Sequence, residues 1–244
     1  MFNESAGRAC GIIMNNTMRK PKMTSVHAFV DYLAEHLGMV RCLCLLSNKD
    51  PFLVSLDKRM GERWSSVING RCPTPQQRRD AIAERVNVAE LFHRVKPAMD
   101  EVLVILHSLQ MYVAALPVEQ SNAAGWETKS DLVHPRPTVD LLNKSIDRLR
   151  AVRALDPKSH FFTAIWEQLM VMARWCRESV NPPADERAKI TFRVVTQTQM
   201  DESTQAAVTR FCTSFHDFCE LYAEFPVLPQ VPMIDLTDPD FRKE

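Results

Sequence analysis

Residues 211–222 read FCTSFHDFCELY, and the spacing inside this stretch decides how the chain is built. Phe211, Phe215, Phe218 and Tyr222 recur every three or four positions, so on a helix they form one apolar stripe. Cys212, His216 and Cys219 fall at i, i+4 and i+7 and share the adjacent face. All three residue types bind metals, but tetrahedral zinc takes four ligands, and its strong sequence signatures pair cysteines as C-x2-C. That spacing is absent; Cys42 and Cys44 are separated by a single residue. The stretch therefore reads as the packing seam of a core helix, and no metal is assigned to it.

The same logic extends to the whole chain. Of 244 residues, 45% are hydrophobic and 25% charged, the balance of a chain that can bury a core. Only 6 are glycine, too few for the hairpins of an all-β fold or for phosphate-cradling loops. A mostly α helical bundle of six to eight helices follows, with a minor β element of one or two short strands. Formal net charge is zero, so the molecule as a whole exerts no pull on nucleic acid or membrane. Seven cysteines in largely apolar surroundings, with no secretory signal before them, point to a reducing, cytoplasmic setting. No uninterrupted apolar run reaches the roughly 18 residues that span a bilayer.

Five regions emerge along the chain. Residues 1–23 read as a flexible leader. Helical region 24–116 opens with Val26, Phe29, Val30, Leu33 and Leu37 in one stripe, which Gly38 should stop. Residues 39–46 suit a short strand or a buried helical turn. Asp50-Pro51 and Thr74-Pro75 both place a capping side chain before a first-turn proline. A helix from Gln76 to Arg94 would put Ile82, Val86, Ala89 and Phe92 on one side, with Pro97 then kinking it or starting another. EVLVILHSLQMYVAAL, the most apolar stretch, suits a central helix, and its His107 reads as a satisfied core histidine. Residues 117–137 form a long loop. Region 138–225 resumes the helices, with Asp156 and Asp201 as further caps, and includes a strand over 189–199 in which Ile190, Phe192 and Val194 alternate with Thr191, Arg193 and Val195. A proline-rich acidic tail occupies 226–244.

No nucleophile elbow, phosphate loop, zinc-protease helix or dinucleotide fingerprint is present, so neither enzyme chemistry nor a cofactor is assigned. Two classes remain. The first is a non-enzymatic intracellular interaction or regulatory protein, self-associating as a dimer or docking a protein partner, with Trp126, Met233, Ile234, Leu236 and Phe241 as candidate anchors. The second is a DNA-binding regulator. Lys144, Arg148, Arg150 and Arg153 cluster on the polar side of helix 138–155, and Arg193 lies on the expected strand. Strand and helix over 189–223 resemble the ribbon–helix–helix regulators, which pair strands between two chains and place the ribbon in the major groove. Pro226 ends the helix where that module requires a second one.

Overall fold

The computed structural model describes residues 26–116, 134–178 and 182–224. Helix accounts for 84% of them, so the mostly α expectation holds. The elements are α1 (Val26–Leu46), α2 (Pro51–Ile68), α3 (Pro75–Ala83), α4 (Val88–Ala115), α5 (Arg136–Leu155), α6 (His160–Glu178), α7 (Ala184–Arg187), a 3-10 turn (Phe192–Val194) and α8 (Gln197–Glu224).

Local chemistry sets several of these boundaries. The Asp50 carboxylate accepts the Phe52 and Leu53 N–H groups, which α2 leaves without intrahelical partners. Thr74 and Gln77 form a reciprocal capping box at α3, and Asn87 caps α4 through the Ala89 and Glu90 N–H groups. Thr196 and Gln199 make a second capping box at α8: each side-chain oxygen accepts the other residue's N–H, at 3.2 and 3.1 Å. Gly70, at φ 68°, occupies the left-handed conformation that releases the chain from α2.

α4 lies in the middle of the bundle. It packs on α8, α5 and α1, while α1 also meets α2 and α5, α5 pairs with α6, and α3 lies on α8. α4 and α8 run antiparallel, because Lys96 meets Asp201 while His107, a few turns on, meets Val195. One buried cluster runs through all the long helices, from Phe29 and Leu33 through Val102 and Leu106 to Phe211 and Tyr222. By length and composition α4 could cross a membrane, contrary to the run-length reading of the sequence; here 44% of its most apolar window is buried among other helices.

Other expectations need correction. The strand over 189–199 does not form. The Thr191 N–H donates to the Gln168 side-chain carbonyl at 2.7 Å and the Arg193 N–H to that of Gln110 at 3.4 Å, so amides from α6 and α4 do what a neighbouring strand would have done. Burial follows the 3-10 turn as well: Ile190, Phe192 and Val195 point inward while Val194 is exposed. No strand occurs among the described residues. Residues 39–46 continue α1 through Gly38, since that helix is clamped on several sides. The helix expected over 76–94 breaks at 84–87, which leaves Ile82 exposed. Pro97 sits within α4 without ending it. Asp156 terminates α5 and pairs with Arg210 at 3.2 Å; it does not cap α6. α8 begins before Asp201, whose carboxylate serves Lys96. The leader, the tail and Trp126 lie outside the described residues.

Candidate interaction surface

The seam of α8 is buried and built around a cluster of aromatic rings. The Phe218 ring lies 6.4 Å from Phe29, 5.1 Å from His36, 6.0 Å from Phe215 and 6.0 Å from Tyr222, centroid to centroid. Cys212 and Cys219 are buried beside this stack, and burial pushes their thiols up to about 11 and about 12. Both are neutral thiols at physiological pH, poor nucleophiles and poor ligands. His216 turns aside to Glu220 Oε1 at 3.1 Å and Arg85 Nη1 at 3.5 Å. Among the described residues no three His, Cys, Asp or Glu side chains gather closely enough to hold a metal ion.

A polar clasp crosses the same seam. His36 is fully buried. Its Nδ1 faces the Tyr32 carbonyl at 2.8 Å and must carry the proton, so Nε2 accepts from the Ser214 hydroxyl at 2.8 Å. A histidine bonded to a serine invites comparison with a catalytic pair, but the His36 ring has no solvent-exposed surface and is stacked on Phe218. Burial lowers the His36 pKa below its ordinary 6.5, against the opposing pull of the Tyr32 carbonyl, Glu35, Ser214 and Asp217. The folded state thus binds the proton less readily than the unfolded chain. The stability His36 contributes is complete above about pH 6.5 and is lost as pH falls below it toward the folded pKa. A His36→Gln variant is expected to show a flatter melting temperature between pH 7.5 and 5 than the wild type. Parallel profiles from thermal melts would rule this clasp out as the titrating element.

The basic residues of α5 separate into two groups. Lys144 and Arg148 both bind the one Glu101 carboxylate of α4, which offsets half of their combined charge. Arg150 and Arg153 instead lie over the Trp166 ring of α6. Arg193 is exposed on the 3-10 turn, beside α4 and apart from the α5 cluster. The structure does not bring the five cations onto one face. Trp126, Met233, Ile234, Leu236 and Phe241 lie outside the described residues.

One surface stands out that the sequence reading did not identify. On α4, Val104, Ser108, Met111 and Ala115 follow at i, i+4, i+7 and i+11 and all face outward. Val104 is 65% exposed and Met111 71%, the latter the most exposed large apolar side chain described. Val194, 62% exposed, stands on the 3-10 turn, which is fastened to α4 by His107 Nε2 donating to the Val195 carbonyl (3.0 Å) and by the Gln110–Arg193 bond. His107 is therefore satisfied, as expected, but at the surface and not in the core. Ion pairs border the edge: Glu101 with Lys144 and Arg148 toward α5, Lys96 with Asp100 and Asp201 toward α8. The signal was present in EVLVILHSLQMYVAAL, which is apolar on more than one face, whereas a helix packed on one side needs only one. Elsewhere a shallow cleft of about 300 Å³ lies between α6 and the α7 segment, where Lys189 and Arg174 are balanced by Glu186 and Glu167. Comparison with known protein families, curated proteins and solved structures finds no match for this chain.

Proposed function

We propose that this chain is a non-enzymatic helical interaction protein that works through protein–protein contacts at the α4 edge. The observation that supports this reading is an apolar strip on α4, Val104 and Met111, with Val194 on the adjoining 3-10 turn and ion pairs of Lys96, Asp100 and Glu101 at its N-terminal end. Interfaces between proteins are built around such apolar centres, while apolar side chains scattered singly over a surface need no explanation. Methionine suits the role because its flexible thioether adapts to a partner's contours.

Association through this edge, with a second copy or with another protein, is tested by Val104→Lys and Met111→Lys. Both positions are exposed, so each change should alter folding stability by no more than about 0.5 kcal/mol. The double variant is expected to lose association, seen as a fall in mass by light scattering or as loss of co-purifying protein. A double variant that retains both the mass and the co-purifying protein of the wild type would refute the assignment.

A DNA-binding role is the second reading. It draws support from Arg150, Arg153 and the exposed Arg193, which do not share one face; Lys144 and Arg148 are engaged by Glu101, and residues 189–199 do not form the strand that a ribbon would need.

A further inference from the structure

Arg150 and Arg153 bring two charges together that the bundle's own carboxylates do little to offset. Their guanidinium carbons lie 5.8 and 5.0 Å from the centroid of the same indole, Trp166. Stacking on an aromatic face holds a guanidinium plane while leaving its N–H edges free to donate. Two like charges gathered on one ring repel each other, and little nearby offsets them. Asp147 approaches Arg150 only to 3.7 Å, with both side chains about 70% open to solvent, a pair of negligible strength. Arg153 meets no carboxylate among the described residues, and its Nε is buried there without a hydrogen-bond acceptor. An incoming oxyanion would relieve the repulsion between the two guanidinium groups and accept from their terminal N–H groups.

We propose that Arg150 and Arg153, braced on Trp166, are a docking point for a single dianionic phosphate, the phosphorylated side chain of a protein partner. The proposal rests on the interaction reading above and names what a second contact region would recognise. Phosphate offers three strong acceptor oxygens and about two negative charges, matched to two guanidinium forks. Recognition of phosphorylated motifs by arginine clusters uses this chemistry. A nucleic-acid backbone fits less well, because its binding grows with the number of phosphates neutralised along a track. Here a track along α5 is interrupted: Lys144 and Arg148 share the one Glu101 carboxylate, Arg210 pairs with Asp156 and Arg174 with Glu186, and the exposed Arg193 lies apart on the 3-10 turn.

The test uses the full chain, with arginine Nε–H resonances followed by nitrogen-15 NMR. Phenyl phosphate is titrated as the probe, phenyl sulfate as a monoanion of similar shape, and a 20-base-pair DNA duplex as the polyanion. Saturable shifts at Arg150 and Arg153 with phenyl phosphate, weaker with phenyl sulfate, are expected. Arg150→Gln, at an exposed position, should weaken phosphate binding by about tenfold, the loss of one charge-assisted hydrogen bond. Arg153→Gln should do at least as much, and a thermal melt checks that it folds. Absence of saturable shifts, equal binding of the sulfate, wild-type affinity in Arg150→Gln, or duplex binding at these residues tighter than the phosphate would each overturn the proposal. The Val104→Lys/Met111→Lys variant keeps the two readings apart. Loss of association in that variant without any phosphate shift would sink this inference and leave the α4 edge standing.

Discussion

Phe218→Ala is expected to lower folding stability by about 3–5 kcal/mol, the range for deleting a large aromatic side chain from a closed core. Phe218 is fully buried and lies at the centre of a stack that draws Phe29, Tyr32 and His36 from α1 together with Phe215 and Tyr222 from α8. Truncation removes the ring's transfer free energy and leaves a cavity that neighbouring rings, already fixed by one another, cannot collapse to fill. Urea denaturation measures the effect: the midpoint should fall while the slope stays unchanged, since the surface exposed on unfolding is nearly the same. A loss below about 1 kcal/mol would mean that the α1–α8 seam is loosely packed.

Glu84→Ala should be comparably damaging for an electrostatic reason. Glu84 follows α3, and its carboxylate lies between two arginines of α2: Oε1 accepts from Arg59 Nε at 2.7 Å, and Oε2 meets Arg63 Nη1 at 2.6 Å, off the hydrogen-bond axis. Arg63 and Glu84 are only 7% and 8% exposed, so neither charge has water to fall back on. Removing the carboxylate would leave Arg63 buried with weak partners: the Met60 sulfur at 3.7 Å, the Cys219 thiol and the face of Tyr222 at 5.4 Å. Breaking such a pair costs about 3–5 kcal/mol, because the remaining charge is left uncompensated. The double replacement Arg63→Met with Glu84→Leu removes both charges and should recover most of that loss. Equal destabilisation in the single and double variants, compared by urea denaturation, would show that the pair contributes through shape and not charge.

Much of the helical architecture could be read from spacing. Leu53, Leu56, Met60, Trp64 and Val67 form a stripe in the sequence, and all but the half-buried Trp64 are buried in α2, while the stripe from Phe211 to Tyr222 is buried in α8. Caps at Asp50 and Thr74 were equally plain, since their signals lie within four residues of what they stabilise. The cap of α8 was misplaced at Asp201, because the run of β-branched residues around Thr196 suggested a strand and hid the reciprocal pair Thr196 and Gln199. That run shows why local preference misleads: a strand needs a partner for its backbone, and here side-chain amides from distant helices supplied one. The candidate sites were less legible still. Nothing at Lys144 or Arg148 announces that Glu101 will engage them, or that Arg150 and Arg153 will meet Trp166.

By itself the sequence determined that the chain forms rods with oily faces, because helical periodicity and capping are settled between residues a turn apart. Tertiary structure decided which faces remain uncovered and which charges remain free. Those outcomes depend on pairs such as His36 with Ser214, or Arg150 with Trp166, that become neighbours only when separate helices pack, and packing geometry is a property of the whole bundle and of no single segment.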